Sequence, residues 1–248
     1  MKSRTLIATM FLFSVSISVF TGCKDDEGNE TEMLHLHLHT MVGAVAANYT
    51  ATFQNASGRK FNIADFRYYI SNIALIKQDG SEYPITGKVL LADPATHEYE
   101  LGAVPVGSYK GFKFFLGLDS LTNHSDPTTY AAGNPLAIQT PGIHWSWNSG
   151  YIFMKVEGFV DTTLAANGTP DYEYFYHIGM DMLKRTIDFS NKGFAVESGK
   201  DNELVMEFDL LDMLNNVDMR TENQTHTMDN MMLAQKIANN WQSAFSVE

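Results

Sequence analysis

The sequence predicts a mostly β protein, an antiparallel β-sandwich with a C-terminal helix, and three observations carry that expectation. Residues 33–41 alternate without a break, with Leu34, Leu36 and Leu38 on one side and His35, His37 and His39 on the other. Period two is the mark of a strand with one buried face. A succession of short apolar and aromatic runs follows, separated by turn residues. Only late in the chain, from about residue 229 to residue 245, does a long stretch look helical.

The elements follow in order from the same signals. Residues 48–54 read as a second strand, ended by Asn55-Ala56-Ser57-Gly58. Residues 66–78 are aromatic and β-branched, and the turn Asp79-Gly80 leads into a returning strand at 83–85, a hairpin signal. Shorter candidates lie at 88–92 and 99–101. Pro105-x-Gly107-x-Tyr109 then opens a strand at 109–118, a turn arrangement frequent in sandwich domains. Segments 151–160, 172–178 and 203–208 complete the strands, and a short helix is expected at 210–215. No linker divides this region, and no internal repeat occurs in it.

Ahead of the domain the chain reads as an export signal. Lys2 and Arg4 precede an apolar run at 6–20, broken only by Thr9, Ser14, Ser16 and Ser18. A membrane span needs about 20 apolar residues; this shorter run suits a signal-peptide core. It ends in Phe20-Thr21-Gly22-Cys23, which looks like a lipobox. The expected division is therefore a lipoprotein signal peptide at 1–22, an acidic linker at 23–32, and one β-sandwich domain with its C-terminal helix at 33–248. Cys23, the expected lipid carrier, is the only cysteine, so no internal disulfide can form. Lys24-Asp25-Asp26-Glu27 is similar to the surface-export signal of Bacteroidetes lipoproteins. The expected location is the outer membrane, anchored through lipid at Cys23, on the periplasmic side or the cell surface.

The net charge of −12 grows more negative by two when the leader, with Lys2 and Arg4, is removed. So acidic a chain has no basic footprint for nucleic acid, and that class of partner is set aside. Gly-x-Ser-x-Gly, Walker, His-Glu-x-x-His and Cys-x-x-Cys-His motifs are absent from the sequence. With its one cysteine committed to lipid the chain has no nucleophilic thiol, and it is not expected to be an enzyme.

The histidine strand is the sharpest chemical signal. Met33, His35, His37, His39 and Met41 share one face while the leucines hold the other to the core. Same-face neighbours lie about 6.5–7 Å apart, close enough for two imidazoles to meet one ion. Imidazole with thioether suits copper, and imidazole alone would equally suit zinc. A solvent-facing edge strand is the plainer reading of the same residues. His144-Trp145-Ser146-Trp147 forms a second cluster, in which the two tryptophans share a face and would otherwise close the end of a sandwich. His177 ends an aromatic strand, and His226-x-Met228 with Met231 and Met232 precedes the terminal helix. Asp119, Asn123 and Asp126 gather in one loop that could hold calcium, although they lack an EF-hand pattern and also suit turn formation.

Several of these pieces stand in a familiar order. Asp65-Phe66-Arg67-Tyr68-Tyr69-Ile70-Ser71-Asn72-Ile73, Pro105-x-Gly107-x-Tyr109, Leu116-Gly117-Leu118-Asp119-Ser120, Trp145-Ser146-Trp147-Asn148-Ser149-Gly150-Tyr151, Lys155-Val156-Glu157-Gly158 and His177-Ile178-Gly179 succeed one another. Together they resemble the MbnP-like proteins over about residues 34–179. These are copper-binding proteins associated with methanobactin operons, with lipoprotein relatives in Bacteroidetes. The resemblance implies a β-sandwich that binds copper outside the cytoplasm, with histidines joined by a kynurenine made from a tryptophan. It also implies a dihaem oxidase partner able to make that kynurenine. Trp145 or Trp147 matches the oxidisable position. His177 matches the histidine that precedes two glycines, although Met180 replaces the second, and His144 stands where relatives carry an aromatic or aliphatic residue. The expected metal ligands are His35, His37, His39 and His177, with His37 or His39 meeting His177 or a tryptophan at one end of the domain. A zinc-binding module, or a surface that binds glycans or proteins with the tryptophans as its platform, is the alternative.

Overall fold

The computed structural model describes residues 30–145 and 150–248. The leader, Cys23 and most of the linker lie outside the described residues, as does Trp147. In chain order the first strands are β1 (Thr31–Val42), β2 (Val45–Ala46), β3 (Thr52–Gln54), β4 (Lys60–Asn62) and β5 (Asp65–Lys77). They are followed by β6 (Glu82–Pro84), β7 (Val89–Ala92), β8 (Glu98–Pro105) and β9 (Gly107–Leu116). After a short helix α1 (Ser120–Asn123) come β10 (His144–Trp145), β11 (Gly150–Val160), β12 (Tyr172–Gly179), β13 (Arg185–Phe189), β14 (Phe194–Val196) and β15 (Asn202–Asp209). The chain closes with α2 (Leu210–Met213), β16 (Gln224–Thr225), α3 (Met231–Ala244) and β17 (Phe245–Val247).

Two sheets result, as the mostly β sandwich reading expects. The smaller runs β17-β15-β1, with β8 and β2 also paired to β1. The larger runs β13-β9-β5-β11-β12-β16, and shorter strands extend it. Pairing among the described residues is antiparallel except β1 with β15 and β12 with β16. A parallel pair needs a long crossover, and β1 meets β15 only after the chain has built most of the larger sheet between them.

The core lies between the sheets. Leu34, Leu36, Leu38 and Val42 of β1 are buried, as the leucine side of the alternation requires. Phe208 of β15 stacks on Tyr68 of β5 with ring centroids 4.9 Å apart, and Phe66 stands 5.5 Å from it. Each such apolar side chain contributes about 1.5–3 kcal/mol by leaving water, so the two-residue period fixes which face turns inward. Pro105-x-Gly107-x-Tyr109 marks the place where the chain leaves the smaller sheet at the end of β8 and enters the larger at β9. Gly107 takes φ +150° there, and the Tyr109 hydroxyl donates to the Pro105 carbonyl at 2.7 Å.

The strand expected at 48–54 is confined to β3 because Asn48 closes a turn: its Oδ1 accepts from the backbone N–H of Thr50 and Ala51. Strands β4, β13 and β14 are too short to show a period by themselves and form against strands already in place. Helix α3 passes directly into β17 at Phe245 without an intervening turn, so the two read as one helical stretch in the sequence. Among the described residues no helix is long and apolar enough to cross a membrane.

Candidate functional site

The outward face of β1 carries His35, His37 and His39, all partly exposed, while the leucines between them are buried. Ring centroids of His37 and His39 are 5.9 Å apart. His97, which sequence reading passed over, stands at the same 5.9 Å from His39. It lies just ahead of β8, which pairs antiparallel with β1, and its carbonyl accepts from the Leu38 N–H at 2.8 Å. No local spacing betrays it; only the β1–β8 register brings it there. Carboxylates border the line. Glu98 lies 3.5 Å from His35 Nδ1 and 3.8 Å from His37 Nε2, and Glu203 of β15 lies 3.3 Å from His37 Nδ1.

His177 does not join this line, contrary to the single-site expectation. It belongs to β12 in the larger sheet, where its neighbours Tyr176 and Ile178 are buried in the same core that receives the β1 leucines. The histidines of β1 and of β12 therefore leave opposite sides of the sandwich. His177 Nε2 is 2.7 Å from Glu157 Oε1. Lys155 reaches both Glu157 and Asp65 at 3.0 Å, and Arg67 Nε donates to Asp65 at 2.7 Å. This ladder of alternating charge runs across β12, β11 and β5. The His177 contact, followed by Lys155, holds the Glu157 carboxyl down to about 2 against the opposing effect of burial. His226 joins the same side, its ring 4.9 Å from His177 and 4.4 Å from Phe175, with Asp229 at 3.1 Å from its Nδ1. Met228 and Met232 near it are exposed.

Trp145 sits at the end of β10, where Trp145 pairs with Gly150 and His144 with Tyr151. It is only 5% exposed, and Gly179 of β12 leaves the space its ring occupies: a Cβ there would stand 2.5 Å from Cη2 and Cζ3. A ring so enclosed offers no open platform for a sugar. Burial lowers the pKa of His144 below the usual imidazole range while Asp126 opposes the shift. Beside Trp145 lies a cavity of about 290 Å³, lined also by Asn123, His124, Met180, Asp181 and Met182. The candidate calcium residues have separate tasks. Asp119 caps α1 through Thr122, Asp126 caps the next turn through Thr128, and buried Asn123 accepts from the Tyr151 N–H while donating to Asp181.

Among the described residues no three His, Cys, Asp or Glu side chains are gathered tightly enough to cage a metal ion. A strand spaces same-face side chains too widely for a closed cage, and offers imidazoles in pairs.

A family profile described as MbnP matches residues 31–232. Among solved structures the chain is similar to MbnP from Methylosinus trichosporium, with 15% identity and a TM-score of 0.59, covering 88% of this chain and 99% of that one. At that identity the likeness speaks to the fold. No curated protein matches at a significant level. Since the profile spans most of the chain, from β1 into α3, this chain belongs to the MbnP family.

Proposed function

We propose that the chain is an extracytoplasmic, lipid-anchored copper-binding protein that takes part in copper acquisition or handling and turns over no substrate. The observation that carries this reading is the imidazole line of His37, His39 and His97, with 5.9 Å between successive rings. An ion shared by two imidazoles at metal–nitrogen distances of about 2.0–2.1 Å places the ring centroids roughly 6 Å apart. The spacing of both pairs fits that requirement. Glu203 stands 3.3 Å from His37 Nδ1, where a carboxylate can orient the ring. Met33 and Met41 flank the line on the same face, and their thioethers favour copper over zinc. Membership of a family associated with methanobactin and copper supports the same metal. His35 extends the line, while His177 serves the ladder on the other side of the sandwich. Trp145 and Trp147 are the candidates for oxidation to kynurenine by a dihaem partner, and Cys23 is the lipid site.

The test is titration of the mature chain with copper and with zinc. The double variant His37→Ala/His39→Ala should lose copper, and Met33→Leu/Met41→Leu should weaken copper while sparing zinc. Unchanged copper binding in the histidine variant would overturn the reading. Intact mass of protein from the native host reads tryptophan oxidation and lipid together, and Cys23→Ala should abolish membrane retention.

A further inference from the structure

A cleft of about 570 Å³ opens where the start of β5 meets the loop 133–141, with Tyr49, Asp65, Arg67, Asp93 and Gln139 among its walls. Strand alternation builds its floor. Asp65, Arg67 and Tyr69 stand at alternate positions of β5, and Leu91 of β7, which also lines the cleft, pairs with Tyr69. The loop is tied down over them. Tyr69 donates its hydroxyl to the Pro135 carbonyl at 3.0 Å, and Tyr151 donates to that of Leu136 at 2.6 Å. Gln139 Nε2 is shared among the carbonyls of Asn134, Pro135 and Ala137. The wall is therefore formed before any ligand arrives, as in most small-molecule sites.

Three polar groups in this cleft have capacity left over. Arg67 gives Nε and Nη2 to the Asp65 carboxylate. Its Nη1 has no partner among the described residues, although the side chain is only 12% exposed. Gln139 commits its amide nitrogen to the loop, which leaves Oε1 to accept. Tyr49, 41% exposed, makes only a long contact of 3.4 Å from its hydroxyl to the Phe66 carbonyl. Burial, then Asp93 and Asp65, push that hydroxyl up to about 12, so it keeps its proton as a donor.

Charge decides which class of ligand suits. Arg67 and Lys155 are matched by Asp65 and Glu157 within the ladder. No net positive charge is left for an anion, and the chain's net −12 opposes one. Asp93 has both oxygens committed to the turn that follows, accepting from Ala95 and Thr96, so it keeps no carboxylate ready for a cation. What remains is a neutral set: donors at Arg67 and Tyr49, an acceptor at Gln139, and a half-exposed aromatic ring. Hydroxyl groups both donate and accept, and so match that set. The C–H side of a sugar ring matches the apolar body of the tyrosine.

We propose that this cleft binds a neutral sugar unit, with Tyr49 as its platform and Arg67 Nη1 and Gln139 Oε1 as hydrogen-bonding partners. The site uses no residue of the histidine line and needs no metal. It also differs from a tryptophan platform, since Trp145 is enclosed.

The test is an NMR titration of the mature, metal-free chain with glucose, galactose, mannose and N-acetylglucosamine, beside glucuronate and glucosamine as charged counterparts. At least one neutral sugar should shift the Arg67 Nε–H and Gln139 side-chain signals in a saturable way. Glucuronate and glucosamine should bind more weakly than that sugar. Tyr49→Ala should lose about tenfold in affinity, and Arg67→Lys, which keeps a cation beside Asp65 but has no Nη1, about as much. Circular dichroism melts check that both variants fold. His37→Ala/His39→Ala should bind the sugar as wild type does, so failure of the copper reading leaves this result untouched. No saturable shift with any of the four neutral sugars would overturn the proposal. Tighter binding of either charged counterpart, or wild-type affinity in folded Tyr49→Ala or Arg67→Lys, would do the same.

Discussion

Replacing Gly179 with alanine drives a methyl group into the ring of Trp145. The added carbon would stand 2.5 Å from Cη2 and Cζ3 of that ring and 2.7 Å from the backbone oxygen of Tyr151. Carbon atoms rest comfortably at about 3.5–4.0 Å, so an overlap of about 1 Å must be relieved. The Tyr151 oxygen belongs to β11, which is paired with β12 along most of its length, and cannot retreat without opening that pairing. Trp145 is buried, and a cavity adjoins it into which the ring can yield. Overpacking of this kind costs about 1–3 kcal/mol. At about 2–4 °C per kcal/mol for a chain of this size, Tm should fall by about 2–12 °C. Urea unfolding followed by far-UV circular dichroism and by tryptophan emission measures both the loss and the displacement of the indole. Gly142→Ala is the control: nothing lies within 4 Å of its added carbon, and it should stay within about 0.5 kcal/mol of wild type. A Gly179→Ala protein as stable as that control, with unchanged emission, would refute the account of how Trp145 is seated.

The Glu157–His177 contact makes stability depend on acid. A carboxyl lowered from 4.5 to about 2 contributes stability fully present above the ordinary value and lost as pH falls through the lowered one. Because Glu157 is partly exposed, about 1–2 kcal/mol is expected after allowance for solvent screening. The urea midpoint should therefore fall between pH 5 and pH 2 by more in wild type than in Glu157→Gln, and equal falls would count against the ladder. Leu36→Ala should cost about 2–5 kcal/mol because the side chain is buried between the sheets. His37→Ala, one position away on the outer face, should cost no more than about 0.5 kcal/mol; equal costs in urea unfolding would mean the faces are misassigned. Asn123→Ala leaves the Tyr151 N–H without its 2.8 Å acceptor. A loss of about 1–3 kcal/mol and faster hydrogen exchange at the Tyr151 amide should follow, and wild-type protection of that amide would deny Asn123 its role.

Much of the fold was legible because it rests on short-range chemistry. Alternation placed the leucines of β1 inside and the histidines outside, the Asp79-Gly80 turn returned β5 into β6, and Pro105-x-Gly107-x-Tyr109 marked a change of sheet. The order of aromatic and glycine motifs was enough to point to the family. Partnership across the molecule was not legible. Nothing near His39 announces His97, which arrives through antiparallel pairing of β8 with β1. His177 has the strand spacing of a ligand, yet belongs to the other sheet and faces the other way, against Glu157 and His226. His124, Met180 and Met182 belong to unrelated stretches of sequence and meet only where α1 is tied to the turn after β12. The sequence by itself determined which side of each strand is apolar, since burial of alternate side chains is a property of single residues in order. Tertiary structure decided which polar faces meet, because that depends on sheet membership and register, and those are settled by the whole core at once.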